Sequence, residues 1–385
     1  MLTRRAFFKL MTASGIGAAI SSQTMEGLFA QSAPEKKPST NINDALKYPR
    51  NQNSMPGKFP GRVVQVYHDK CIAKNKIDLS ATNEMVKSGM LNLTGAKDIT
   101  DAWRMFVSPK DRIGLKVNPV AGASLATSIE ITRAIIQQLN TAGIPGKNIL
   151  IWDRREFELH EVGFTEKNFP GIKIIGTERK DGKGSFVDEK GRLYGEEMID
   201  KDWSYWADVE EKYDAETLPY MINEGKHSYF SKIVTQQVDK IINIPILKNA
   251  GSSITLCLKN LAYGSVSNTG RLHKQLWAET SAEVCAFPPL RDKVVLNIVD
   301  GIKGCYNGGP AANEQFITEY KSVLIGTDPV AVDRIGYEII LKKRIEEKIQ
   351  KEESSKGKIF LELAQNLQLG IADLNKIDLK KVNLS

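Results

Sequence analysis

Ile113-Gly114-Leu115-Lys116-Val117, a periodic segment from Ser128 to Thr141, and Asn148-Ile149-Leu150-Ile151-Trp152-Asp153 decide the fold of this chain. The two outer pieces are short apolar runs of strand length, rich in β-branched residues. In the middle piece Ile129, Ile131, Ile135, Ile136 and Leu139 approximate one helical face. Thr127, with Glu130 three residues on, reads as a capping box, and Gly143 as a stop. Strand, helix and strand in this order predict a right-handed crossover between parallel strands.

The same rhythm extends outward. Further strands are expected at 63–68, 172–175, 240–246, 294–300 and 323–325. The pattern predicts an α/β fold: a mainly parallel sheet with helices on both faces, in one main domain over 61–384. Residues 178–228 break the rhythm as an insertion carrying Trp203-Ser204-Tyr205-Trp206. This is either a lid or partner surface, or aromatic cover for the core. Residues 33–60, rich in Pro, Lys, Asn, Ser and Gly, read as a linker or loosely held arm. The charged run 341–357 reads as a solvated helix, and 359–384 as a helix with a short returning element.

The chain begins Met1-Leu2-Thr3-Arg4-Arg5-Ala6-Phe7-Phe8-Lys9, continues with a weakly apolar, Gly- and Ala-rich run, and reaches Ala30-Gln31-Ser32. Basic, apolar, then small is the order of a targeting peptide. The paired arginines resemble the twin-arginine consensus. Residues 1–32 are therefore expected to be a twin-arginine signal, cut after Ser32, with the twin-arginine translocase as partner during export. The run is short of the ~20 apolar residues of a membrane span, and no later transmembrane segment is expected. The location implied is periplasmic or otherwise exported, and an uncleaved signal would leave the protein tethered.

The chain has 385 residues and a net charge of +7. Its first 32 residues carry Arg4, Arg5 and Lys9 against Glu26, so the remainder has a charge of about +5. A mildly basic body suits a small anionic ligand. No arginine-rich stripe with interleaved aromatics occurs, which excludes nucleic acid as the expected partner. Cys71, Cys257, Cys285 and Cys305 form no C-x-x-C pair, which disfavours a cysteine-only cluster or zinc site. In an exported protein they are disulfides or free buried thiols. His68, His160, His227 and His273 are far apart in sequence, so no cofactor or metal is identified by them.

Several strands run into polar residues: His68, Lys116 with Asn118, Asp153, Lys248, Asp300 and Asp328. In open α/β sheets ligands bind beyond the carboxyl ends of strands. Lys248 and Lys259-Asn260 frame a Gly251-Ser252-Ser253 turn, where ammoniums and backbone N–H groups could hold a carboxylate or phosphate. Lys259 lies in an apolar run, and a desolvated lysine becomes nucleophilic. His273, in Gly270-Arg271-Leu272-His273-Lys274, is the candidate proton carrier. Asp300 is a candidate to hold a metal or orient a lysine, and Gly308-Gly309 to let backbone approach a ligand. Asp328-Pro329 reads as a helix start, with Asp333 facing a Lys or Arg in the core.

Pro245-x-x-Lys248, Thr255-x-x-Leu258-Lys259-Asn260-Leu261, Asp300-Gly301 with Gly308-Gly309-Pro310, and Asp328-Pro329-Val330-Ala331-Val332-Asp333 together resemble the domain of unknown function 362 family. Lys116-Val117-Asn118 and Leu369-Gly370-Ile371 extend the resemblance across about 61–384. It implies an α/β fold and the position of a site, while the family's name assigns no reaction. Some members carry ferredoxin-type cluster segments, which this chain lacks. The family often has Lys-x-His at the first lysine, where this chain reads Lys248-Asn249-Ala250. Three functions fit. The first is an exported enzyme or redox-accessory protein binding an anion through Lys116, Asn118, Lys248, Asn260 and Asp300, with Lys259 and His273 catalytic. The second is a non-catalytic anion binder using the same residues. The third is a partner or assembly factor of an exported metalloenzyme, docking through Trp203–Trp206.

Overall fold

The run that opens with Ile113 folds as its alternation demands. In the computed structural model, which describes residues 37–210, 225–251 and 253–385, strand Ile113–Lys116 leads to helix Ile129–Thr141 and on to strand Ile149–Arg155. The two strands pair in parallel, with Ile113 opposite Ile149 and Lys116 opposite Trp152. Period-two alternation sends Ile149 and Ile151 to one core cluster and Leu150 and Trp152 to the other.

In chain order the strands begin with β1 (Arg62–Tyr67), β2 (Ile72–Ala73), β3 (Lys76–Ile77), β4 (Ile113–Lys116), β5 (Ile149–Arg155) and β6 (Lys173–Glu178). They continue with β7 (Ile199–Trp206), β8 (His227–Ser231), β9 (Lys240–Asn243), β10 (Ile246–Ala250) and β11 (Ser253–Thr255). The last are β12 (Val294–Cys305), β13 (Ile317–Thr318), β14 (Ser322–Gly326) and β15 (Asp378–Asn383). The main sheet runs β15-β1-β14-β12-β9-β4-β5-β6. Along that path β14 is antiparallel to its neighbours, and every other pairing is parallel. β10 adds beside β12, and β11 folds back on β10 as a hairpin.

Helices cover both faces, so the α/β architecture holds. Leu79–Thr94, Ile99–Arg104 and Ile129–Thr141 bury Met85, Met90, Trp103, Ile135 and Leu139 on one face. Cys257–Ser265, Trp277–Ala286, Pro329–Glu346 and Ile359–Asn366 cover the other. From β4 the chain steps outward to β5 and β6, whereas β9 and β12 lie on its other side. The strand order therefore reverses between β4 and β9, and the carboxyl ends of these two strands flank a switch point.

Local readings differ from this structure in informative ways. The cap of helix Ile129–Thr141 is Ser128, whose side chain accepts from Ile131 N, and not Thr127. The Thr127 hydroxyl instead accepts from Asn118 N and donates to the Ile244 carbonyl. The expected strand 240–246 breaks at Ile244-Pro245 into β9 and β10, because proline has no N–H for the ladder. Within 341–357 the helix ends at Glu346, and Lys348 turns the chain with a left-handed φ of 57°.

The described part of the expected arm, 37–60, is pinned from Asn41 onward. Ala45 and Met55 are buried, Arg291 donates to the Tyr48 and Pro49 carbonyls, and Arg50 donates to those of Leu367 and Gln368. Pro38–Ser385 form one compact unit. The insertion contributes the separate β7–β8 sheet. Its Tyr205 is fully buried and donates to Glu283, and Trp203 packs at 5.1 Å on Tyr48. These aromatics serve as core cover more than as an exposed patch. The expected signal, 1–32, lies outside the described residues. Among the described residues no helix is long and apolar enough to cross a membrane.

Candidate functional site

Lys116, Asn243 and Asn297 end or interrupt three apolar strands, and pairing sets them side by side. Lys116 stands opposite Asn243, and Asn243 opposite Asn297. All three are fully shielded from solvent. An unpaired polar group at this depth would cost several kcal/mol, and here side chains satisfy one another in sequence. Asn297 Nδ2 donates to the Thr327 carbonyl, and Asn243 Nδ2 to Asn297 Oδ1 at 2.9 Å. Asn260 Nδ2 donates to Asn243 Oδ1 at 2.8 Å. The Asn260 carbonyl oxygen then accepts from Asn118 Nδ2 at 2.9 Å and from Lys116 Nζ at 3.1 Å. The network thus joins β4, β9, β12 and helix Cys257–Ser265 at the switch point.

Two buried lysines hang on this network in different states. Lys116 forms an ion pair with Asp153 at the end of β5, and burial still pulls its pKa down against that carboxylate. Gly264 on the covering helix makes room for the pair, since a Cβ there would stand 2.3 Å from Lys116 Cε and 2.6 Å from its Nζ. Lys248 on β10 donates to Asn118 Oδ1 at 3.0 Å, a neutral amide. Among the described residues its ammonium makes no ion pair. Burial, reinforced by the charge of Lys259, lowers its pKa to about 7. Opposite it in the hairpin stands Thr255, whose buried hydroxyl has no hydrogen-bond partner among the described residues.

Helix Cys257–Ser265 carries Lys259, Asn260 and Tyr263, and its start is capped from elsewhere. Leu256 offers no side-chain cap, and Asp333 of the helix Pro329–Glu346 accepts from Cys257 N at 2.6 Å and Leu258 N at 3.0 Å. Asp333 was expected to face a lysine or arginine; backbone N–H groups take that place. Asp328 caps its own helix through Val330 N and Ala331 N, and also accepts from Gly61 N and Ile371 N. The Asp-Pro-Val-Ala-Val-Asp motif is thereby an anchoring device. Burial raises Asp333 to about 7 and Asp328 to about 6.

Lys259 is half-buried and makes no hydrogen bond or ion pair among the described residues. Its ammonium lies 5.4 Å from the Tyr263 ring centroid. Burial lowers its pKa to about 8. His273 packs on the same ring, centroid to centroid 4.5 Å. Its Nδ1 faces the Thr269 carbonyl at 3.1 Å, which assigns the proton to Nδ1 and leaves Nε2 as an acceptor. Partial desolvation, followed by the charges of Lys259 and Arg154, holds its pKa low. Arg154 bonds the Thr269 hydroxyl, and with Arg155 it flanks the buried Glu178.

Lys116, Asn118, Lys248 and Asn260 therefore share one network, and Lys259 and His273 share one aromatic platform beside it. Asp300 stands apart. Its carboxylate accepts from Ser128 N and Oγ at 2.8 and 2.6 Å and from Ile302 N, which fastens the start of helix Ile129–Thr141. It lines a cavity of about 870 Å³ with Thr127, Ser128, Glu130 and Lys303. The close approach that Gly309 permits is to the Asn249 carbonyl, 1.7 Å from where a Cβ would sit. His68 sits at the end of β1, near Asp69 and Glu84. Ser252 of the Gly/Ser turn lies outside the described residues. All four cysteines are free and buried, and among the described residues no three His, Cys, Asp or Glu side chains group as metal ligands. Asn243, Asn297 and Tyr263 were missed in the sequence. The signal for the first two was an asparagine inside an otherwise apolar strand.

No curated protein matches this chain. A crystal structure of a Thermotoga maritima protein from the Northeast Structural Genomics Consortium is similar at 8% identity and a TM-score of 0.38, over 70% of this chain. This chain spans 60% of that protein's length. Residues 206–338, which hold Lys248, Lys259, Asn260, His273 and Asp333, match the family described as "Domain of unknown function (DUF362)", and the chain thus contains a domain of that family.

Proposed function

We propose that this protein binds a small anionic molecule at the carboxyl ends of β4, β9 and β10, and that it works as an exported enzyme or redox-accessory protein. One observation carries the reading: the Lys248 ammonium is fully buried and, among the described residues, has a single neutral acceptor, Asn118 Oδ1. An ammonium has three donors, and a buried charge without a counter-ion is costly. An anion reaching Lys248 would supply that counter-ion, with the Thr255 hydroxyl and Lys259 beside it. Asn260, which also accepts from Lys116, holds Asn118 in position for it. Titratable groups next to such a site, here Lys259 and His273, favour chemistry over storage.

The test is calorimetric titration of the mature protein with oxalate and with inorganic phosphate. Binding by the native chain and its loss in Lys248→Met, with the circular dichroism spectrum kept, are expected. Equal affinity in the two proteins would remove Lys248 from the site. Export rests on Arg4-Arg5 and the small-residue stretch ending at Ser32. Replacing both arginines by lysine should hold the protein in the cytoplasmic fraction, and unchanged export would exclude the twin-arginine route.

A further inference from the structure

We propose, resting on the anion-site reading above, that the ligand is a 2-oxo acid whose carboxylate is held by Lys248 and whose carbonyl carbon forms an imine with Lys259. Lys259 is half-buried, so a ligand can reach it, and no acid among the described residues holds its nitrogen. Neighbouring lysines and burial are the two conditions that make a lysine amine nucleophilic near neutral pH. Burial acts on Lys259 itself, which sits in the helix turn with the buried Cys257, Leu258 and Asn260, and its charge in turn bears on Lys248. The carbonyl class follows because a lysine with no carboxylate partner among the described residues and a pKa of about 8 holds a share of free amine near neutral pH, and that amine is a nucleophile for a carbonyl carbon. The adjacent carboxylate follows from the second, deeper ammonium and the free Thr255 hydroxyl opposite it.

The chemistry balances without an oxidant or reductant. Lys259, whose pKa burial lowers to about 8, gives its third proton to solvent. The amine lone pair then forms the C–N bond as the carbonyl π pair moves to oxygen, and one proton passes through water from nitrogen to that oxygen to give the carbinolamine. Loss of that hydroxyl and of one proton from nitrogen leaves the imine, so that amine and carbonyl yield imine and water.

Reductive trapping tests this. The mature protein is treated with pyruvate and cyanoborohydride, and adducts are mapped by peptide mass spectrometry, with acetone as the carbonyl lacking a carboxylate. One adduct on Lys259 is expected, formed at least about tenfold faster with pyruvate than with acetone, the factor that a charge-assisted hydrogen bond supplies. Lys259→Arg should abolish the adduct yet still bind oxalate, and Lys248→Met should slow trapping by a similar factor. If oxalate binds but pyruvate labels Lys259 no faster than surface lysines, the imine proposal fails and the anion site stands. If the native chain binds neither oxalate nor pyruvate, both fail. Lys259→Arg keeps the charge and most of the length of the side chain, so it keeps the test decisive even where Lys248→Met folds poorly.

Discussion

Lys248 Nζ donates to Asn118 Oδ1 across 3.0 Å, so a fully buried ammonium is held by a neutral amide that is itself held by Asn260. The two partners should respond oppositely to substitution. Lys248→Met removes a buried charge of similar shape and should leave stability equal or higher. Asn118→Leu strands the ammonium and should destabilise by about 1–3 kcal/mol. Urea midpoints of the two variants check this, and an unstable Lys248→Met with a stable Asn118→Leu would reverse the assignment.

The pH dependence follows from the same lysine. Its pKa is about 7 when folded and near 10.5 otherwise, so between these values the unfolded chain holds a proton that the folded chain has lost. Its contribution to stability should therefore rise with pH from about 7 to about 10.5. Lys248→Met should flatten that slope in urea unfolding. Oxalate affinity should run the other way and fall as pH climbs through 7, with a further fall as Lys259 deprotonates near 8. Calorimetric affinities unchanged across that range would count against both lysines as anion ligands.

Asp333→Ala removes the only side-chain cap at the start of helix Cys257–Ser265 among the described residues. A loss of about 1–3 kcal/mol is expected in the urea midpoint. Because Lys259 and Asn260 ride on that helix, oxalate binding should weaken with it. A variant of native affinity would show that the helix start is held by other contacts.

Gly264→Ala places a Cβ against the pinned Lys116 and Asp153 side chains. Displacing them should cost about 1–3 kcal/mol, the usual range for overpacking. The same change at Gly182, where a Cβ meets nothing within 4 Å and φ is not left-handed, controls for side-chain crowding. Thermal unfolding of the pair checks it, and equal shifts would mean that the ion pair moves freely.

His273→Gln should leave oxalate affinity intact, since among the described residues the ring bonds only backbone carbonyls and packs on Tyr263. Trapping of pyruvate on Lys259 should keep its rate, because a ring whose pKa burial holds low is a poor proton acceptor for an ammonium. Slowed trapping would instead place His273 in the proton path.

The sequence by itself determined the architecture. Apolar runs at strand period and the Ile-rich helical face of 129–141 can bury their surfaces only as a layered sheet with crossover helices, and the strands formed within a few residues of where they were read. It also marked Lys116, Asn118, Lys248, Lys259 and Asn260 as polar residues at strand ends or in apolar runs. Only the tertiary structure decided which of them meet. Asp300 turned to Ser128, and Asp333 crossed to the N–H groups of Cys257 and Leu258, because a buried carboxylate takes whichever donors packing brings to it. Asn243 and Asn297 became ligands of one another through strand register, a relation between β9 and β12 that no local pattern encodes.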